Sequence, residues 1–298
     1  MASHLIPIDT FKSGFTTCPS LNLPAFETVP LKDSELGVHK VSSRTNHVLV
    51  VPPEPSTNLD DSEAAALPPP SLAWEAFYPQ GSINPSAPIP GGFGFYASGP
   101  RTFSSQLELS GGATHVLISY RMMLQSEWEW VKGGKFPGIF GGKGDFSYSC
   151  TGGRQNDRCK CFNVRPMWRS KGVGELYTYL PLTPGNRERL ISVPPSSKEN
   201  SDYGFSVGRD AFRFTAGKWL SLAFRVKLNS VGCDDGELEL WIDGVSVIKV
   251  DRLMLRDSEH SRIKGAHFQT FFGGHQDDWA SPKDQRAWFA DFSGAVID

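Results

Sequence analysis

The stretch GELELWIDGVSVIKV, residues 236 to 250, decides the fold class. Leu238, Leu240 and Ile242 alternate with Glu237, Glu239 and Trp241, so the two sets project from opposite faces of an extended strand. Asp243-Gly244 supplies the positive φ that a tight hairpin needs, and VSVIKV resumes the pattern behind it. The segment predicts two antiparallel strands.

Outward from this hairpin the same kind of run recurs between turn signals. LAWEAF, GFGFYA, FSSQLELS, THVLISYRMML, CFNVRPMW, GELYTYL, WLSLAFRVKL, HFQTFF and RAWFADFSGAVI follow one another from Leu72 onward, and NHVLVV at 46 to 51 adds another strand. Such spacing reads as an all-β sandwich or barrel. The 30 glycines, 22 prolines, 20 phenylalanines and 8 tryptophans suit strands and turns better than helices. No segment longer than about ten residues holds a helical apolar period, so the few helices should be short and peripheral. Neither a repeat nor a linker divides the chain. We read one domain over residues 1 to 298, with EPSTNLDDSEAAALPPP at 54 to 70 as an exposed loop.

Thirty basic residues against thirty-two acidic ones leave a formal charge of −2. No global field draws the protein to nucleic acid or an anionic membrane, and neither is an expected partner. No apolar run approaches the roughly 20 residues of a membrane span. The start, MASHLIPIDTFKSGF, lacks the basic end and apolar stretch of a signal peptide. As written the chain carries no export signal, which leaves the cytoplasm open; a removed leader would make it secreted. A serine-hydrolase elbow, a dinucleotide fingerprint and a Walker loop are all missing, and no cofactor is expected.

Five cysteines are too few for a disulfide scaffold. Cys150, Cys159 and Cys161 crowd around TGGRQNDRCKC, where a bridge from Cys150 to either of the others would close a loop in an oxidising compartment. In the cytosol all would be free thiols. The C-x-C spacing lacks the second knuckle of a zinc site, and no metal is expected.

The densest suggestion of chemistry lies between Trp128 and Tyr179. Tyr177 and Tyr179 alternate on one strand, placing two phenols on one face about 7 Å apart. An isolated pair of this kind usually lies against a sheet. Asn163 and Arg165 share the same spacing, and a guanidinium grips carboxylates through paired donors. Lys132 and Lys135 flank Gly133-Gly134, where a substrate could approach closely. Other constellations carry less. Glu127 with Glu129, and Glu237 with Glu239, have strand spacing compatible with a glycosidase pair. His275, Asp277 and Asp278 follow a glycine turn without the second histidine or loop pattern of a metal site.

Taken together, KGGKFPGIFGG at 132 to 142, YSCTGGR at 148 to 154, NVRPMWR at 163 to 169, GELYTYLP at 174 to 181, and QTFFGG with DWASPKDQ at 269 to 285 resemble polysaccharide lyase family 14. The likeness is strongest to its fungal branch and runs from roughly Phe15 to the C-terminus. It implies a jelly-roll β-sandwich of antiparallel strands and a lyase that cleaves alginate or glucuronan by β-elimination. It places catalytic roles on Lys135, Arg165, Tyr177 and Tyr179. Asn163 stands where the family has a serine. Substrate-binding roles are expected for Asn163, Lys132, Trp168, Glu175 and His275. The implied partner is an acidic poly- or oligosaccharide, met by a monomer. Non-polysaccharide chemistry inside the cell, or sugar binding without turnover, are the alternatives.

In that chemistry a carboxylate must be neutralised before the C5 proton of a uronate can leave, a task for Lys135, Arg165 and Asn163. A tyrosine base costs about 3 pKa units at pH 7, or roughly 4 kcal/mol, and nearby cations are expected to lower that cost. Tyr179 is the first choice as base and acid, with Tyr177 assisting and activity highest on the alkaline side.

Overall fold

The computed structural model describes residues 3–56, 67–108, 111–152 and 156–298. Most of the loop expected at 54 to 70, and part of the YSCTGGR turn, lie outside the described residues. Two sheets, each of nine strands among the described residues, face one another. The first runs Val245–Leu253, Gly236–Ile242, Trp219–Lys227, His115–Leu124, Gln285–Val296, Ser13–Thr16, Phe26–Thr28. The second runs Lys198–Asn200, Gly204–Arg213, Val173–Tyr179, Cys161–Trp168, Gly134–Lys135, Ser261–Phe272, Phe93–Ala97, Val38–His39. Pairing is antiparallel throughout these paths except where Ser13–Thr16 meets Phe26–Thr28. This is the β-sandwich expected.

Residues 236 to 250 form the hairpin, with Asp243 and Gly244 at φ of 47° and 78°. Leu238, Leu240 and Ile242 enter the core between the sheets with Val116, Ile118, Phe224 and Phe268. The opposite face is covered: Trp241 packs with Leu5, Ile6, Cys18 and Leu21 from the least periodic part of the chain. Glu237 and Glu239 both pair with Arg225 at 2.8 Å, so they are bound carboxylates rather than a glycosidase pair. Glu127 falls in a turn and Glu129 in the irregular segment after it, neither on a strand, and Glu129 pairs with Lys283.

Of FSSQLELS, taken above for a strand, the residues Phe103 to Glu108 belong to the helix Arg101–Glu108, and the last two lie outside the described residues. Phe103 and Leu107, four apart, both reach the core, and that spacing suits a helical turn as well as a strand. The other helix, Pro184–Ile191, begins on Thr183, whose side chain accepts from Asn186 N. Both are eight residues long, and none among the described residues is long and apolar enough to cross a membrane.

Trp168 does not bind substrate from its place in the fold. On Cys161–Trp168 the even positions point inward, and Trp168 is fully buried, 4.6 Å from the Phe136 ring and 5.1 Å from Phe272. Parity decides this, since Asn163 and Arg165 occupy the other face. Replacement of Trp168 by alanine should destabilise the protein by about 3–5 kcal/mol, read as a lower urea midpoint with an unchanged slope.

Cys150 is bonded to Cys161, with Cα atoms 5.7 Å apart, while Cys18, Cys159 and Cys233 are free. The bridge ties the loop before the arginine strand to its first residue. Thiol titration of the unfolded, unreduced protein should find three of the five cysteines reactive. Reduction should then cost about 2–3 kcal/mol of stability through loop entropy.

Candidate active site

Strand alternation gathers the polar residues of the second sheet on its outer face. Register pairs Asn163 with Tyr179, Arg165 with Tyr177, and Met167 with Glu175 across two neighbouring strands. On the far side, Ser261–Phe272 turns His267, Gln269 and Phe271 to the same face. The two tyrosine rings lie 5.5 Å apart.

Lys135 reaches this face because the chain around it is pinned. Gly133 sits at φ 155°, a backbone that side chains disfavour. A Cβ on Gly134 would meet the Trp168 ring at 2.1 Å and the Phe271 carbonyl at 2.4 Å. Next in line, Phe136 sinks into the core and its amide donates to Pro166 O at 3.0 Å. Tyr120 Oη donates to Pro137 O at 2.8 Å from the opposite sheet. A strand residue's N–H and C=O point to the same side, so the donor that Pro166 lacks is missing where Pro137 interrupts the neighbour. Lys135, one step before this anchor, projects outward and donates to the Tyr179 hydroxyl. Its Nζ lies 4.7 Å from the Tyr179 ring centre and 5.0 Å from that of Tyr177.

Arg165 is 3% exposed and held by neutral groups. Nε donates to Phe136 O at 3.1 Å, Nη1 to Gln269 Oε1 at 3.2 Å, and Nη2 to the Gln269 carbonyl. Three of the five guanidinium N–H groups are thereby used, leaving two for a ligand. Among the described residues neither Lys135 nor Arg165 forms an ion pair with a carboxylate.

Burial dominates the electrostatics. It pushes Arg165 down to about 10, against the raising influence of Tyr179, Tyr96 and Tyr120. Burial, then Arg165, Arg169 and Arg158, hold Lys135 well below the ordinary lysine range. Tyr177 and Tyr179 are raised by burial, and for Tyr179 the cations Arg165 and Arg158 offset only part of it. The expectation that nearby cations lower the phenol is therefore reversed here, because desolvation outweighs them. Both partners of the Lys135–Tyr179 bond are pushed toward their neutral forms.

Asn163 faces the cleft, 1% exposed; its Nδ2 meets His267 Nδ1 at 2.8 Å, and its Oδ1 has no partner among the described residues. Glu175 shares the tyrosines' face but is fully buried beneath Arg169 and Arg209, so it supports the surface rather than touching a ligand. Lys132 lies off the centre, paired with Asp278 and 6.0 Å from the Trp279 ring. His275 is exposed on the turn after Ser261–Phe272, outside the group around Lys135. No three His, Cys, Asp or Glu side chains converge among the described residues.

Several members of this face escape a reading of the sequence. His267 stacks on Tyr96 at 4.2 Å and is held well below its usual range by burial, with Arg165 and Lys135 adding to the effect. Tyr96 is raised by burial to about 12. Arg158 lies 4.9 Å over the Tyr179 ring. The one available signal was parity in HFQTFF, which groups His267 with Gln269.

With this geometry in place, comparison with known proteins is direct. The sequence profile of polysaccharide lyase 14 matches residues 70–292. A marine PL-14 alginate lyase from Aplysia kurodai is 31% identical, superposes with a TM-score of 0.65, and is matched over 76% of this chain and 83% of its own. Alginate lyase vAL-1 from Chlorella virus is 21% identical, with a TM-score of 0.62 over 88% of this chain and 93% of its own, which speaks to the fold alone. Alginate lyase Aly36B shares that fold at 19% identity and a TM-score of 0.56, over 77% of this chain and 82% of its own. A search of curated proteins returns no match. The pinned Lys135, the Asn163–Arg165 strand and the Tyr177–Tyr179 strand all lie inside the matched region, and the chain belongs to polysaccharide lyase family 14.

Proposed function

We propose that this lyase cleaves a uronic-acid polysaccharide, alginate foremost, by β-elimination. The observation that carries the reading is the Arg165 guanidinium and the Lys135 amine, set in a sheet face beside two phenols and answered by no carboxylate among the described residues. A carboxylate supplied by the ligand would complete the site. That the Aplysia relative is an alginate lyase supports alginate as the polymer.

In this reading the two free N–H groups of Arg165 take the uronate carboxylate, and Asn163 adds a hydrogen bond. Charge then moves from C5 into that carboxylate as the proton leaves. Tyr179 Oη accepts the C5 proton while its own passes to the neutral Lys135 Nζ in contact with it, which then acts as acceptor rather than donor. An amine whose pKa is pushed down is free to take a proton near neutrality, so no free tyrosinate is required. The C4–O bond breaks, Tyr179 gives its proton to the leaving oxygen and recovers one from Lys135 Nζ, and a C4–C5 double bond remains. The Cys150–Cys161 bridge supports work in an oxidising compartment, hence secretion.

Incubation with mannuronate blocks, guluronate blocks and glucuronan, followed by the ultraviolet absorbance of the unsaturated product, tests the reading. A rising signal on a uronate polymer is expected, and silence on all three from folded protein would overturn it. Tyr179→Phe should lower turnover by about 10²–10⁴-fold without loss of fold, and near wild-type activity would remove Tyr179 from the mechanism.

The pH dependence follows from the direction of the Lys135 shift. A lowered lysine gives up its proton at lower pH than usual, so the active amine form gains as pH rises, and kcat/KM should climb to a mildly alkaline plateau. A maximum below about pH 5 would contradict the relay.

A further inference from the structure

Beside Tyr177 a cavity of about 560 Å³ opens toward the strand Lys198–Asn200. Four cations line it: Lys132, Arg169, Lys198 and Arg209, with the Trp279 ring at its edge. Beneath them lies Glu175, fully buried and saturated. Its Oε1 accepts from Arg169 Nε at 2.9 Å and Nη2 at 2.5 Å, and its Oε2 from Arg209 Nε at 2.6 Å and Ser206 Oγ at 2.7 Å.

One carboxylate thus clamps two guanidiniums by their Nε edges. Arg169 Nη1 and Arg209 Nη1 make no hydrogen bond to another of the described residues, and both side chains line the cavity. Of the six charged groups, four positive and two negative counting Asp278 on Lys132, two positive charges are left over. Alternation on Lys198–Asn200 reinforces the sign, for Lys198 and Asn200 line the cavity while Glu199 is engaged with Arg187.

We infer that this cavity is a second uronate subsite: Arg169 and Arg209 receive the carboxylate of a sugar next to the one that reacts, and Glu175 is the positioning residue that aims them. The inference rests on the elimination reading above. Tyr177 lines both the cavity and the reacting group, so a chain lying across the strands passes from one to the other without a gap. Trp279 offers a flat apolar face for the sugar ring, and a buried clamp keeps both arginines ordered before the ligand arrives.

The test compares wild type with Arg209→Ala and Glu175→Gln on saturated uronate oligosaccharides of graded length. Binding is measured by calorimetry, and cleavage by product absorbance. Each variant is first shown to be folded by circular dichroism, and Arg209→Ala, at a partly exposed side chain, serves if Glu175→Gln fails to fold. Loss of one charge-assisted contact should weaken binding and raise KM by about 10- to 100-fold on oligomers long enough to fill the cavity. On the shortest substrate kcat and KM of Arg209→Ala should stay within about twofold, because Arg209 does not touch the reacting group. Added salt should erode the wild-type advantage.

Equal losses at every length, or unchanged binding in Arg209→Ala, would overturn the subsite. If wild type cleaves nothing yet binds the oligomers, and Arg209→Ala weakens that binding, the subsite stands while the elimination reading falls. If wild type neither binds nor cleaves them, both fall.

Discussion

Holding Lys135 and Arg165 in a sheet face with no acidic partner among the described residues is the constraint around which this molecule is arranged. An uncompensated buried cation is costly, and a protein of marginal stability must offset it elsewhere. Here the offset is partly local, since Arg165 hands three N–H groups to carbonyl and amide oxygens of neutral residues. The rest comes from below. Phe136 and Trp168 lie in contact under Lys135 and Arg165, inside a core that spans both sheets.

The same strands carry both jobs. Inward positions of Cys161–Trp168 and Val173–Tyr179 supply Phe162, Val164, Trp168 and Leu176 to the core, while outward positions build the site. A one-residue slip would exchange the two sets, so packing enforces the register that aligns Asn163 with Tyr179. Where the sheet must break to let Lys135 out, both sides of the break are proline-bearing, and Tyr120 secures it from the opposite sheet. The loop ahead of the arginine strand is covalently tied through Cys150 and Cys161, whose side chains pack against Met167 and the tyrosine pair. On the far flank Glu175 does for Arg169 and Arg209 what neutral groups do for Arg165, with the difference that a charge is spent on it.

Parity was the most informative property of the sequence and also the one most easily underused. It assigns Tyr177 and Tyr179, and Asn163 and Arg165, to common faces, and the structure agrees. Applied one step further it removes Trp168 from the site, since an even position on that strand faces the core. For Glu175 the face was right and the role was not, because burial beneath two arginines is a matter of neighbouring strands. FSSQLELS shows the ambiguity of a short apolar run, where two hydrophobic residues four apart satisfy strand and helix alike.

By itself, then, the sequence determined the all-β class, the hairpin at 236 to 250, the motifs of the family and the faces on which their residues lie. These follow from near-neighbour physics, namely backbone alternation and turn chemistry, which a linear string records. Only the tertiary structure decided that Lys135 meets Tyr179, that His267 and Tyr96 join the site, and that Cys150 takes Cys161 rather than Cys159. It also decided the sign of the tyrosine shift, since burial is summed over every strand and loop that packs around a group. Contacts between residues far apart in the chain set the local dielectric, and with it the chemistry of the site.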